Sequence, residues 1–471
     1  MTEKTGPDRL YNRGDEPLSN FSDNPSFAAI LSEHQRQRRQ LLKGGLGITL
    51  AAFLGGGLAA CGRGQDKGAE PGDVAGAQTD RSLLGFAAIA ISRADGVCVP
   101  TGYTATSFVP WGTPINGLEP AFKADASNTA AEQEHQMGSH HDGMHFFPMG
   151  AAGTQGLLVI NHEYVDPTIL HPQGPTLGEK RPAGEVRKEM AAHGVSVLHI
   201  EIDQQGKWVQ VASSEYNRRI TALTEMEIRG PARGAGKLVT RYSADGTRVR
   251  GTLNNCAHGV TPWNTYLAAE ENWAGYFANR DAEPPREHSR YGVDRKPGRY
   301  RWETADSGMD LYRRFNASSI AEGAAGDYRN EPNNFGWMTE IDPFAPDSLP
   351  LKHTAMGRFA HEGVIFAPAE EGRPVVCYSG DDAQFEYIYK FVSAEPYQKA
   401  TAGGQLLDKG TLYVARFNAD GTGNWLPLSL DDAGFVEKAG QQGVEFAAQA
   451  DTMINTRLAA DIAGATQMDR P

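Results

Sequence analysis

Cysteine is scarce, with four in 471 residues. That is too few for a disulfide-stapled scaffold, so each is read singly. A positive excess is missing too. Lys and Arg number 45 against 58 Asp and Glu, for a formal charge of −13, and the acids are scattered. This argues against a nucleic-acid binder of the basic-patch type. The longest apolar run, residues 44–60, is short for a membrane span and interrupted by Gly, so a permanent span is the weaker reading.

What is present suits a large folded body. Hydrophobic residues make up 40% and charged residues 22%, enough to build a core. The length allows about two to four ordinary domains or one large repetitive one. Gly (54) and Pro (27) are frequent, which favours short strands and turns over long helices.

The N-terminal region carries an export pattern. Gln37-Arg38-Arg39-Gln40-Leu41-Leu42-Lys43 opens the apolar run, as in a twin-arginine signal. Leu58-Ala59-Ala60-Cys61 closes it and resembles a lipobox, which would put a lipid anchor on Cys61. The alternative is cleavage nearby without lipid. Residues 1–61 are therefore read as a signal region, 62–80 as a flexible tether poor in apolar side chains, and 81–471 as the working domain. The expected location is periplasmic, cell-surface or secreted, with the twin-arginine machinery as a partner.

Within that domain, Val195-Ser196-Val197-Leu198-His199-Ile200-Glu201-Ile202 alternates at period two and meets an Asp203-Gln204-Gln205-Gly206 turn before Trp208-Val209-Gln210-Val211. This is a hairpin signal. Similar cues recur at Asp245-Gly246 and Asp420-Gly421, at multiples of about 40 to 50 residues, which suggests an all-β propeller. A sandwich or barrel of hairpins is the alternative. Residues 275–335 look like an insertion, and 436–465 have helical apolar spacing. No coiled-coil pattern is present, so a monomer is expected.

Chemical content gathers in a few places. Asn161 and Glu163 stand two positions apart at the end of an apolar run, so both project to one face, as hard-metal sites require of oxygen donors. Cys256 lies among Asn, His and Gly, unlike Cys377, which sits in an apolar strand. It is a ligand, a nucleophile or an inert thiol. As a thiolate ligand it needs a metal softer than calcium, such as iron. Cys98 is read as a core residue, with a Cys98–Cys377 disulfide unsupported. Glu362, Asp381 and Asp382 punctuate strands that look buried, a pattern that cations explain better than solvent does. His135, His140, His141, Asp142 and His145 form either a transition-metal cluster or a polar loop.

In combination these stretches resemble the PhoX family of secreted bacterial alkaline phosphatases. The resemblance rests on His141-Asp142-Gly143-Met144, Asn161-His162-Glu163, Cys256 with Thr261-Pro262-Trp263, Glu270-Glu271-Asn272-Trp273, residues 358–363, Asp381-Asp382, and Ala465-Thr466-Gln467-Met468-Asp469-Arg470-Pro471. It implies a six-bladed propeller, iron and calcium as cofactors, and hydrolysis of phosphate monoesters. It also implies metal ligands at Asn161, Glu163, Cys256, Glu271, Glu362 and Asp381, and a phosphoryl-binding Arg470. In the family a metal-ligating Glu and further strands follow Asp-Arg-Pro. The expectation here is therefore an incomplete propeller of weak or no activity. The rival readings are a calcium-dependent propeller hydrolase of lactonase or phosphodiesterase type and a non-enzymatic calcium-binding propeller.

Overall fold

A computed structural model describes residues 18–37 and 85–471. The Arg38-Arg39 pair, the apolar run, Cys61 and the tether at 62–80 lie outside the described residues. Of those described, 18–34 and 109–471 belong to one compact unit, and 35–37 with 85–108 to another. Among the described residues no helix is long and apolar enough to cross a membrane.

The larger unit is built on three sheets. The first contains β1 (His141–Pro148), β2 (Gln155–His162), β3 (Gly194–Ile202), β4 (Trp208–Gln210) and β5 (Arg218–Ile220), all antiparallel to their neighbours. The expected hairpin is β3–β4. Asp203 closes its turn by accepting from the Gln205 and Lys207 amides, and Gly206 takes the left-handed conformation, φ 77°, that a side chain would disfavour. Both faces of β2 and the first half of β3 are covered, burying Leu157, Leu158, Val159, Ile160, Val195, Val197 and Leu198, each worth about 1.5–3 kcal/mol for a large aliphatic group.

The second sheet holds β6 (Glu225–Arg229), β7 (Arg248–Arg250), β8 (Asn255–Val260), β9 (Tyr266–Glu270), β10 (Met338–Ile341) and β11 (Leu351–His353), ordered β7-β6-β11-β10-β9-β8. All its pairs are antiparallel except β6 with β11. The third comprises β12 (Ile365–Phe366), β13 (Pro374–Gly380), β15 (Ile388–Pro396), β16 (Gly410–Phe417) and β17 (Gly423–Pro427), while β14 (Gln384–Glu386) pairs with β18 (Met468–Asp469). Strands β1, β8 and β12, each at an edge of its own sheet, come into contact with one another through β8.

The segment between β9 and β10 carries only short helical turns among loops. It is not a surface appendage. Trp302 is buried against Phe315, ring centroids 4.9 Å apart, and donates from Nε1 to Glu189. The C-terminal apolar spacing forms α1 (Ala433–Gln441), α2 (Gln449–Ile454) and α3 (Thr456–Ala463), the last ended by Gly464 at φ 86°, the left-handed C-terminal stop that glycine provides.

Candidate metal centre

The end of β2 fixes the first donor. Asn161 is fully buried, and its Nδ2 donates to the carbonyls of Cys256 (2.5 Å) and Ala257 (3.0 Å), pinning β2 to β8. Its Oδ1 is buried with no hydrogen-bond partner. A buried amide oxygen left in this state costs about 1–3 kcal/mol and suits a cation.

Around it stand Asp142, Glu163 and Cys256, whose ligand atoms all lie within 4.8 Å of one another. Cys256 Sγ is 3.7 Å from Asp142 Oδ2. Gly143 makes this approach feasible, because a Cβ there would press into the Cys256 carbonyl and the Ala257 backbone.

The electrostatics describe a pool of crowded negative charge. Burial, followed by hydrogen bonding to and repulsion from Asp142, pushes the Glu163 carboxyl up to about 8, with Arg299 opposing. Burial raises the Cys256 thiol far above its ordinary range, with Glu271, Asp142, Glu163 and Glu362 adding in that order. Glu362 is raised by burial, Asp382 and Asp142, and eased by Arg470. Four carboxylates acting on one thiol is the arrangement a multivalent cation would relieve. The mixed sulfur and oxygen donors fit a softer transition ion beside a hard one.

Of the residues expected at the site, Asn161, Glu163, Cys256, Glu271 and Glu362 are brought together in this way. Asp381 is not. Its carboxylate is wholly buried in an ion pair with Arg457, while the next residue, Asp382, faces Glu163 and Glu362. The other acidic doublet divides in the same sense. Glu270 pairs with Lys352 at 2.7 Å and accepts from the Gly336 and Trp337 amides, leaving Glu271 to act on Cys256. Arg470 Nη1 lies 3.5 Å from Asp382 Oδ2, beside the cluster.

The histidines of the 135–145 stretch do not form one cluster. His140 stacks on Tyr164, His141 meets His162 edge-on, and His145 packs on Phe147. Cys98, Cys256 and Cys377 are free thiols; Cys377 is buried as expected, whereas Cys98 is exposed and not a core residue. The sequence offers Asp142 only with the histidines and Asp382 only beside Asp381, and the structure sets both at the cluster; nothing local marks Arg299 as a neighbouring cation.

A family model described as "Alkaline phosphatase PhoX" matches residues 84–471. No curated protein matches the chain. Among solved structures, the chain is similar to "Pseudomonas fluorescens PhoX in complex with vanadate, a transition state analogue", with 38% identity and a TM-score of 0.73. The match covers 83% of this chain and 65% of that one, so the chain spans somewhat under two thirds of the length of that relative.

Proposed function

The chain belongs to the PhoX alkaline phosphatase family, and from that premise we propose that it is an alkaline phosphatase hydrolysing phosphate monoesters outside the cytoplasm, after twin-arginine export. The observation that carries this reading is the convergence of Asp142, Glu163 and the Cys256 thiol within 4.8 Å, with Glu271 and Glu362 close enough to act on the same sulfur.

Iron and calcium are the proposed cofactors. Cys256, Glu271, Glu163 and Asp142 would hold them, with Glu362, Asp382 and the amide oxygen of Asn161 completing the oxygen donors. When bound, they supply Lewis-acid polarisation of the phosphoryl group. Left to itself the acidic cluster repels an anionic ester, so the cations also set the sign of the local field. Arg470 presents a guanidinium fork to the non-bridging oxygens, where charge builds during phosphoryl transfer. Asp382 keeps that fork at the cluster's edge.

For the architecture, we read the three sheets as blades of a six-bladed propeller. The meeting of edge strands β1, β8 and β12 at the donors supports it.

The test is hydrolysis of p-nitrophenyl phosphate by the full chain supplied with iron and calcium. Turnover abolished by chelation and inhibited by vanadate is expected. Loss of neither, or cleavage of a lactone in place of the phosphate ester, would reject the reading.

A further inference from the structure

Residues 18–34 precede the Arg38-Arg39 pair in sequence, yet they lie on the folded body. Residues 18–25 carry no regular secondary structure, Ser26 makes a single parallel bridge with Gln467, and helical structure begins at Phe27. The part before the helix is held by polar groups. Asn20, only 4% exposed, donates from Nδ2 to the Phe385 carbonyl at 2.7 Å. Gln467 Nε2 donates to Ser22 at both its carbonyl and its hydroxyl, each at 2.9 Å. Backbone pairing continues the grip, with Gln467 N to the Pro25 carbonyl at 3.1 Å and Phe27 N to the Gln467 carbonyl at 2.8 Å.

Hydrophobic burial contributes little here. Phe21 is 79% exposed, and Phe27 offers an edge-on contact to Phe417 at 5.3 Å. Recognition therefore rests on a hydrogen-bond pattern that reads Ser and Asn side chains, with one parallel backbone bridge at Ser26 and Gln467. The floor of the groove is charged. Ser19 Oγ donates to Glu386 at 2.9 Å and accepts from Arg457 at 3.2 Å, while its carbonyl accepts from Arg290 at 3.0 Å.

The groove is assembled from β14 with its following tyrosine, Tyr387, and from the residues between α3 and β18. These parts are about eighty positions apart in sequence and meet through β14–β18 pairing, the Tyr387 hydroxyl on Asp461 at 2.7 Å and Arg457 beside Glu386 at 3.7 Å.

We propose that this groove is a peptide-binding surface whose ligand is the chain's own segment 18–34, bound in its own right and not merely by tethering. Because the groove exists only when β14, β18 and α3 have come together, docking ties the segment before Arg38-Arg39 to completion of the fold. The proposal needs nothing from the phosphatase reading.

To test it, a site-specific protease sequence is placed within residues 62–80 of the full chain, the folded protein is cut, and the N-terminal fragment is followed by size exclusion at micromolar concentration. The fragment should stay with the body. A synthetic peptide of residues 18–34 should displace it, and a scrambled peptide should not. The same peptide carrying Asn20→Ala should require about tenfold more, the loss of one well-buried hydrogen-bonding group. The body is unaltered in that comparison, so misfolding cannot mimic the result. Immediate separation of the cut fragment, or equal displacement by the scrambled or Asn20→Ala peptides, overturns the proposal.

Discussion

Arg457 grips Asp381 with two nitrogens of its guanidinium, Nη2 to Oδ1 at 2.6 Å and Nε to Oδ2 at 2.8 Å, and both side chains are sealed from solvent. This pair occupies an aspartate that the sequence offers equally to the metal centre. It leaves the adjacent Asp382 to face Glu163 and Glu362. Neighbouring acids thus have opposite duties, one holding the fold and one facing the site.

The two aspartates should separate by substitution. Asp381→Asn strips a buried guanidinium of its two-point carboxylate, leaving only Glu386 at 3.7 Å, and should cost about 3–5 kcal/mol of stability, read by chemical denaturation. Asp382→Asn should leave the unfolding midpoint nearly unchanged and lower kcat/KM about 10–100-fold, as expected when a group orienting the site is lost. Matching effects on stability from both variants would show that the division is wrong.

Glu270 and Glu271 make an independent pair for the same idea. Glu270→Gln weakens the buried contact to Lys352 and should destabilise by about 3–5 kcal/mol. Glu271→Gln should keep the fold and lose bound metal. Thermal melting together with metal content distinguishes them, and a Glu270→Gln protein of wild-type stability would speak against the assignment.

A buried imidazole gives a pH signature. His353 lies between Glu340 at 2.8 Å and Asp408 at 2.9 Å, and although burial works the other way, these two carboxylates raise it to about 9. Its contribution is complete below the unfolded value of about 6.5 and is lost as pH climbs through 9, in total about 3 kcal/mol. Unfolding free energy measured from pH 6.5 to 9.5 should fall more steeply in the wild type than in His353→Gln. Parallel slopes would mean the imidazole is neutral.

Gly143 should not tolerate a methyl group. A Cβ there meets the Cys256 carbonyl and the Ala257 backbone at 2.8 Å, so Gly143→Ala must move β1 away from β8. The expected result is metal affinity reduced about 10–100-fold in a protein with an intact far-ultraviolet spectrum. Unchanged affinity would show that the close approach is not needed.

Much of the site was legible because its donors sit beside apolar strands. Glu163 follows the β2 run by simple alternation, and Cys256 stands out among polar neighbours. Asp381 misled because its partner Arg457 lies 76 residues further on, and no local pattern declares which acid of a doublet turns inward. The β3–β4 hairpin was readable from period-two alternation and its Asp203-Gln204-Gln205-Gly206 turn. The 275–335 segment was readable as an insertion. Its place in the core was not, since burial of Trp302 depends on Phe315 and Glu189, which are brought together only by the fold. The docking of residues 18–34 was equally hidden, because polar Ser and Asn side chains look like solvated surface until their partners are present.

The most direct test of the metal centre is elemental analysis of the purified full chain beside Cys256→Ala, with both shown to be folded. Iron together with calcium in the first, and iron lost from the second, is the expected result. Iron absent from the wild type, or retained equally by Cys256→Ala, would contradict the account.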